Sequence, residues 1–332
     1  MMFTDEALKT IGQYDIVEKL GDGTTATVYK AVQSSLDRFV ALKLIHPNLA
    51  NDPTFLPHLD HEARILARLD HVNIVHVYDV GEYRRRFYLA MQYVAGGTLQ
   101  KRQAQLRARG ERLALTEIEQ IAQQIGSALE YAHSQGVIHR DVKPSNIIFA
   151  HDNRTLLGDF GISTIIGRPY GARALLPASG HAHGTLGSPA YLAPEQAHPE
   201  LGPIGPASDV YSLAVVLYEL VTGRVPFVAN SPLAVISKHR NEQVPLPRTF
   251  NPDLPIEIER VLIRALAKDP LERYKRVAGF VDAFADAIKQ ALRTRPAIAG
   301  RRAARGRDEH PRDEPPALQH AAYQRRRHHA DV

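Results

Sequence analysis

Residues 137–161, VIHRDVKPSNIIFAHDNRTLLGDFG, constrain the chain more than any other stretch. Two short apolar runs, 147–149 and 155–157, flank a polar turn, His151-Asp152-Asn153, and this predicts a β-hairpin. Each side of it carries a polar cluster: His139, Arg140, Asp141, Lys143 and Asn146 before, Asp159 after. A tight hairpin returns the chain on itself, so Asp141, Asn146 and Asp159 are expected in one small space. Three oxygen donors around a lysine suit one chemistry: holding Mg²⁺ on a phosphate chain and steering a hydroxyl toward it.

The rest of the chain has the means to build such a site. Its 332 residues, 44% hydrophobic and 23% charged, suggest about two domains and a core that needs no staple. The absence of cysteine excludes disulfides, thiolate metal sites and a cysteine nucleophile, and it fits a reducing compartment. The net charge of +5 belongs to residues 291–332, which hold ten Arg against five acids, so residues 1–290 are neutral in formal charge. The N-terminus is too polar for a signal peptide, and the longest apolar stretch, 210–221, is too short to span a bilayer. The chain reads as soluble and cytoplasmic, with peripheral membrane association left open.

Patterning divides the body. Residues 14–20, 27–33 and 38–45, and then 75–80 and 87–94, are rich in β-branched and aromatic residues and read as strands. Between them, 52–69 has helical spacing. After Gly96-Gly97 the chain is mainly helical. Thr116-Glu117-Ile118-Glu119 resembles a capping box at the start of a helix that Gly136 stops. Residues 209–221 are apolar all round and predict a buried helix ending at Gly223. Residues 256–267 and 277–291 are amphipathic. Residues 162–188 show little periodicity and read as a functional or disordered loop. His181 and His183 lie in it without a third metal ligand nearby, so a mobile loop is the better reading. From Arg293 onward no core pattern is left, which predicts disorder.

Two further motifs carry chemistry. Gly21-Asp22-Gly23-Thr24-Thr25-Ala26-Thr27-Val28 lies between two strands, where glycines let backbone N–H groups approach phosphates. Ala26 stands where a third glycine is expected; a positive φ there would cost about 1 kcal/mol. Lys43 closes the apolar Val40-Ala41-Leu42, and Glu62 follows 19 residues later on the expected helix. A Lys–Glu pair joining strand and helix would aim the ammonium at phosphates.

In order along the chain stand LGDGTTATVYKA, VALK, HEARIL, DHVNIVHVYDVGE, MQYVAGGTL, HRDVKPSN, DFG, GSPAYLAPEQ, SDVYSLAVVLYEL and DPLERY. On these ten motifs residues 14–290 resemble a eukaryotic-like protein Ser/Thr kinase of the kind found in bacteria. The resemblance implies an α+β, bilobal protein kinase fold. An antiparallel-sheet lobe with one major helix would cover 14–95 and a larger helical lobe 96–290, with an extension at 1–13 and a basic tail at 291–332. It also implies a phosphotransferase that moves the γ-phosphate of ATP to Ser or Thr of protein substrates, with Mg²⁺, or Mn²⁺ in its place.

The resemblance distributes the roles. Lys43 and Glu62 would pair to set the nucleotide phosphates under the loop from Gly21 to Val28. Leu20, Val28, Ala41 and Ile148 would sandwich the adenine. Met91 would be the gatekeeper, with the main chain of Gln92 and Val94 on the adenine edge. Asp141 would accept or orient the hydroxyl proton, Lys143 would neutralise the γ-phosphate, and Asn146 and Asp159 would hold the metal. Lys143-Pro144 follows the Ser/Thr rather than the tyrosine pattern, and Ser188 keeps the hydroxyl of a frequent Thr. His139 is expected to support the loop against Phe160 rather than do proton chemistry. Glu195 is expected to pair with Arg273, and Asp209 to anchor the loop backbone.

Arg140 before Asp141 goes, in this family, with phosphorylation of the activation loop. That predicts self-association for trans-autophosphorylation within 162–188, at Thr185 first, then Ser179, Thr164 and Ser163. The arginine-rich tail reads as a solvated linker, with anionic lipid or nucleic acid as its alternative contacts. A pseudokinase scaffold would have lost Lys43, Asp141 or Asp159, and all three are present. A small-molecule kinase does not account for Ala193-Pro194-Glu195 with the glycine-rich loop.

Overall fold

The structure, a computed structural model, describes residues 9–23, 26–46, 65–84, 86–160 and 189–294. The chain divides into Met1–Leu292 and Arg293–Val332. All but the first two residues of the second unit lie outside the described residues, and the first unit carries the site.

Six strands form an antiparallel sheet in the order β1-β2-β3-β4-β6-β5: β1 (Thr10–Ile11), β2 (Tyr14–Asp22), β3 (Ala26–Gln33), β4 (Arg38–Ile45), β5 (Val77–Tyr83) and β6 (Arg86–Gln92). The strand at 75–80 starts two residues later than expected and runs further, and β1 lies within the stretch expected to precede the domain. β4 shows how the two-residue period places the site. Val40, Leu42 and Leu44 join a small core with Ile11, Tyr14, Tyr29 and Tyr88. Ala41, Lys43 and Ile45 therefore face the other way, toward the rest of the molecule. Register puts Val28 opposite Lys43, and Met91 opposite Ala41, on that same face. Of the helix expected over 52–69, all but the last turn lies outside the described residues; Leu66 and Leu69 are buried.

The remainder is helical: α1 (Leu99–Ala108), α2 (Leu115–Ser134), α3 (Pro194–Ala197), α4 (Pro206–Thr222), α5 (Pro232–Asn241), α6 (Ile256–Ala265) and α7 (Val277–Thr294). α4 is the central post. Pro206 sits in its first turn, where a missing N–H costs nothing. Every residue from Ser208 to Thr222 is buried, and Gly223 at φ 83 closes the helix in a left-handed conformation. α2 packs Ile118, Ile121, Ile125 and Leu129 into the same core. The capping box at Thr116 is not formed: the helix begins at Leu115 with Ala114 as N-cap, and Thr116 is already inside the first turn. Among the described residues no helix is long and apolar enough to cross a membrane.

The hairpin forms where expected, as β7 (Ile147–Phe149) and β8 (Thr155–Leu157). Both segments that lead into the helical part are stitched to it. Gly96 N–H donates to the Phe149 carbonyl at 3.0 Å and Phe149 N–H to Gly97 at 2.9 Å. On the other side Val75 N–H donates to Leu157 at 3.0 Å and Leu157 N–H to Asn73 at 2.8 Å. Gly96 is required for this approach, since a Cβ there would lie 2.2 Å from the Phe149 oxygen.

Candidate active site

The loop before β7 is held by its own side chains. Lys143 Nζ lies 2.7 Å from Asp141 Oδ2. Asn146 donates from Nδ2 to the Asp141 carbonyl at 2.8 Å and to Asp141 Oδ2 at 3.2 Å. That fixes the Asn146 amide, whose oxygen faces the Ser145 hydroxyl at 3.4 Å. Gly158 N–H donates to the Asn146 carbonyl at 2.8 Å, which ties the segment after the hairpin to the segment before it. Asp159 follows at once, in a left-handed conformation (φ 60) that a short polar side chain tolerates.

Lys43 reaches this group from the sheet. Its Nζ lies 2.9 Å from Asp159 Oδ1, with the lysine side chain 8% exposed and the aspartate 35%. Burial pushes the Asp159 carboxyl up, but the opposing pull of Lys43, with Lys143 behind it, is the stronger and holds it below the ordinary carboxylate range. The structure thus brings together Lys43, Asp141, Lys143, Asn146 and Asp159. Glu62, Thr24 and Thr25 lie outside the described residues. Gly21, Asp22, Gly23, Ala26 and Thr27 sit at the β2–β3 turn, where Gly23 N–H donates to the Ala26 carbonyl at 2.9 Å. Ala26 is an ordinary extended residue of β3 without positive φ. The penalty expected for alanine there does not arise. Of the expected adenine-facing residues, Leu20 is 36% exposed, Val28, Ala41 and Ile148 are half-buried, and Met91 is buried. Gln92 ends β6 and donates its N–H to His76; Val94 follows in the linker to α1.

Behind the loop stands a brace. Asp209, at the first turn of α4, accepts from His139 N–H and Arg140 N–H, both at 2.8 Å, and from His133 at 2.7 Å. His139 is fully buried; its Nε2 lies 2.9 Å from the Gly158 carbonyl, and its ring meets Phe160 edge-on at 4.4 Å. It supports both segments, as expected. Glu195 and Arg273 form a bidentate pair at 2.8 and 2.9 Å, with both side chains fully buried. Gln196 was not singled out in the sequence. It is fully buried, takes the Ala193 N–H on its oxygen at 3.0 Å, and donates to the Arg140 carbonyl at 2.8 Å. Its only local signal is its place directly after Pro194-Glu195.

The chain belongs to the protein kinase domain family, whose model matches residues 14–289. It is 38% identical over 264 residues to the serine/threonine-protein kinase PrkC of Bacillus subtilis (strain 168), covering 80% of this chain and 39% of that one. Against the serine/threonine-protein kinase PknB of Mycolicibacterium smegmatis it is 38% identical over 273 residues, 80% of this chain and 41% of the relative. The chain therefore spans about two fifths of these relatives' length. Among solved structures it resembles the Mycobacterium tuberculosis PknI kinase domain, with TM-score 0.65 at 32% identity over 84% of this chain and 97% of that one. It is thus a eukaryotic-like bacterial Ser/Thr protein kinase by family, in the bilobal α+β fold.

The family uses ATP with a divalent metal. The residues present fit that use. Asn146 and Asp159 offer hard oxygen donors beside two ammonium groups. Among the described residues no group of three or more His, Cys, Asp or Glu could hold a metal alone. A cation between Asn146 and Asp159 would thus draw further ligands from phosphate oxygens and water.

Proposed function

We propose that the chain transfers the γ-phosphoryl group of ATP to Ser or Thr hydroxyls of proteins, with Mg²⁺ as the metal and Mn²⁺ as a substitute. The observation that carries this reading is the Asp141 carboxylate, held between Lys143 and Asn146 and facing the Lys43–Asp159 pair. The acceptor oxygen forms a bond to the γ-phosphorus as the bond to the bridging β–γ oxygen breaks, and ADP leaves. The acceptor proton passes to Asp141 and then to solvent. Lys143 balances charge on the transferred group, and Lys43 holds the phosphates that precede it. Asn146 and Asp159 would hold the metal, which would supply charge neutralisation on the phosphate chain. The β3, β4 and β6 face with Val28, Ala41 and Met91 would cover the adenine ring. As ATP is a cytoplasmic cosubstrate, the domain works in the cytoplasm.

The test is transfer to a generic basic acceptor protein beside Asp141→Asn. A loss of about 10²-fold or more is expected, in line with removal of a positioned base. Mg-ADP should still raise the variant's melting temperature. Equal incorporation by both proteins would overturn the assignment in favour of a binding scaffold.

Regulation by autophosphorylation belongs to the same reading. Arg140 Nε is buried and has no hydrogen-bond partner among the described residues. A phosphate on residues 162–188, which lie outside the described residues, would supply one, with Thr185 the first candidate. Mass mapping after phosphatase treatment and incubation with ATP checks this; no phosphate in 162–188 would sink it.

A further inference from the structure

α1 and the turn after it carry Lys101, Arg102, Arg107, Arg109 and Arg112 against one acid, Glu111. Residues 1–290 have no net formal charge, so this is a local concentration rather than a share of a basic body. Helix stability accounts for Arg107 and Arg109, at the C-terminal end where the dipole favours cations, but not for the cations at the other end. α1 buries only Leu99 and Gln103, and its first turn holds no acid but carries Lys101, with Arg102 next. Cations there oppose the helix dipole. A stability rule broken on the surface points to use by a partner.

Two of the cations show where the helix lies. Arg102 pairs with Glu117, and its guanidinium sits 4.7 Å from the ring centre of Phe149, the last residue of β7. Arg107 pairs with Glu219 of α4, whose other oxygen accepts from the Tyr191 hydroxyl at 2.6 Å. α1 therefore runs from the strand after the Asp141–Asn146 loop to the Pro189–Tyr191 turn. Lys101, Arg109 and Arg112 are exposed and make no ion pair among the described residues. Residues 161–188 contain neither Asp nor Glu, and the tail, though it holds Asp308, Glu309, Asp313 and Glu314, is net basic.

We propose that Lys101, Arg109 and Arg112 form a docking edge for an acidic segment of the protein substrate, flanking the hydroxyl presented to Asp141. The proposal rests on the kinase reading and deepens it by naming a substrate class. Rim charges of this kind guide encounter and select partners more than they hold them. Their effect should appear in KM and shrink as salt rises.

The experiment uses the full chain and three peptides around one Ser, with acidic, neutral or basic flanks. The acidic peptide should be favoured over the neutral one by about tenfold in kcat/KM, the sum of a few modest exposed pairs. Lys101→Glu/Arg109→Glu/Arg112→Glu should abolish or invert that ratio through KM, while Arg260→Glu, an exposed cation of α6, should leave it. An acidic-to-neutral ratio near one, or a preference for the basic peptide, overturns the proposal. So does a ratio that survives the triple change. Should no peptide be phosphorylated, the kinase reading fails by itself. The docking edge is then judged by anisotropy of a labelled Glu-rich peptide lacking Ser and Thr: binding lost in the triple variant supports it, and no binding to the native chain refutes it.

Discussion

Arg140 has a left-handed backbone, φ 66, which a long side chain adopts at a cost of about 1 kcal/mol. Two bonds impose it: Arg140 N–H to Asp209 and Arg140 C=O to Gln196. Asp141 is the next residue, so this clamp sets the direction of the proposed base. Gln196→Leu removes both bonds of the amide and leaves buried backbone groups unpaired. We expect kcat to fall about tenfold or more, from a loss of about 1–3 kcal/mol in positioning, with KM for ATP little changed. Gln196→Glu keeps an acceptor for Ala193 but loses the donor, and should fall between. Steady-state kinetics decide; an unchanged kcat in Gln196→Leu would reduce this glutamine to packing. Asp141, Lys143 and Asn146 were legible because their partners lie within five residues of one another. Gln196 was not, because its partner lies 56 residues away and nothing local marks it.

Among the elements, α4 organises what the hairpin presents. Asp209 stands in its first turn, where the helix dipole favours a carboxylate, and Glu219 stands near its last. The hairpin was legible because its turn chemistry is local, and α4 because an all-apolar helix has only one place to go. The start of α2 misled because a Thr-x-x-Glu pattern also fits a helix already under way. The Glu195–Arg273 pair came from resemblance alone, as no spacing rule joins residues 78 apart. It holds α3 against the segment before α7. Glu195→Gln should lower stability by about 3–5 kcal/mol, since it leaves a fully buried guanidinium without its counter-charge. Denaturant midpoints measure it. The double change Glu195→Leu/Arg273→Met should cost less than the sum of its single changes; strict additivity would show that the two do not act as a pair.

At the scale of the whole molecule, acid should act through His239, beside which Lys268 stays charged throughout the acid range. Burial, with the Lys268 charge added, pushes the fully buried His239 down to about 3. Lys268, whose Nζ donates to the His239 carbonyl at 2.7 Å, is pushed down to about 8 by burial and then by Arg273. His239 ordinarily titrates near 6.5, so between that value and about 3 the unfolded chain binds the extra proton. Stability is then fully present above pH about 6.5 and is lost as pH falls, with a slope approaching 1.4 kcal/mol per pH unit from this one group. His239→Gln should flatten the curve between pH 6 and about 4.5; an identical slope would mean that carboxylates alone set acid sensitivity. The stitching of both connecting segments to β7 and β8 bears on motion. Because residues 73–75 and 96–97 are bonded to the hairpin itself, they travel with the helical part when the sheet tilts. The bending is left to the few residues between these stitches and the strand ends at Val77 and Gln92. Deuterium should therefore enter the amides of Phe149 and Leu157 only by opening of the helical body, while the peptide links at 76 and 93–95 exchange with each rocking of the sheet.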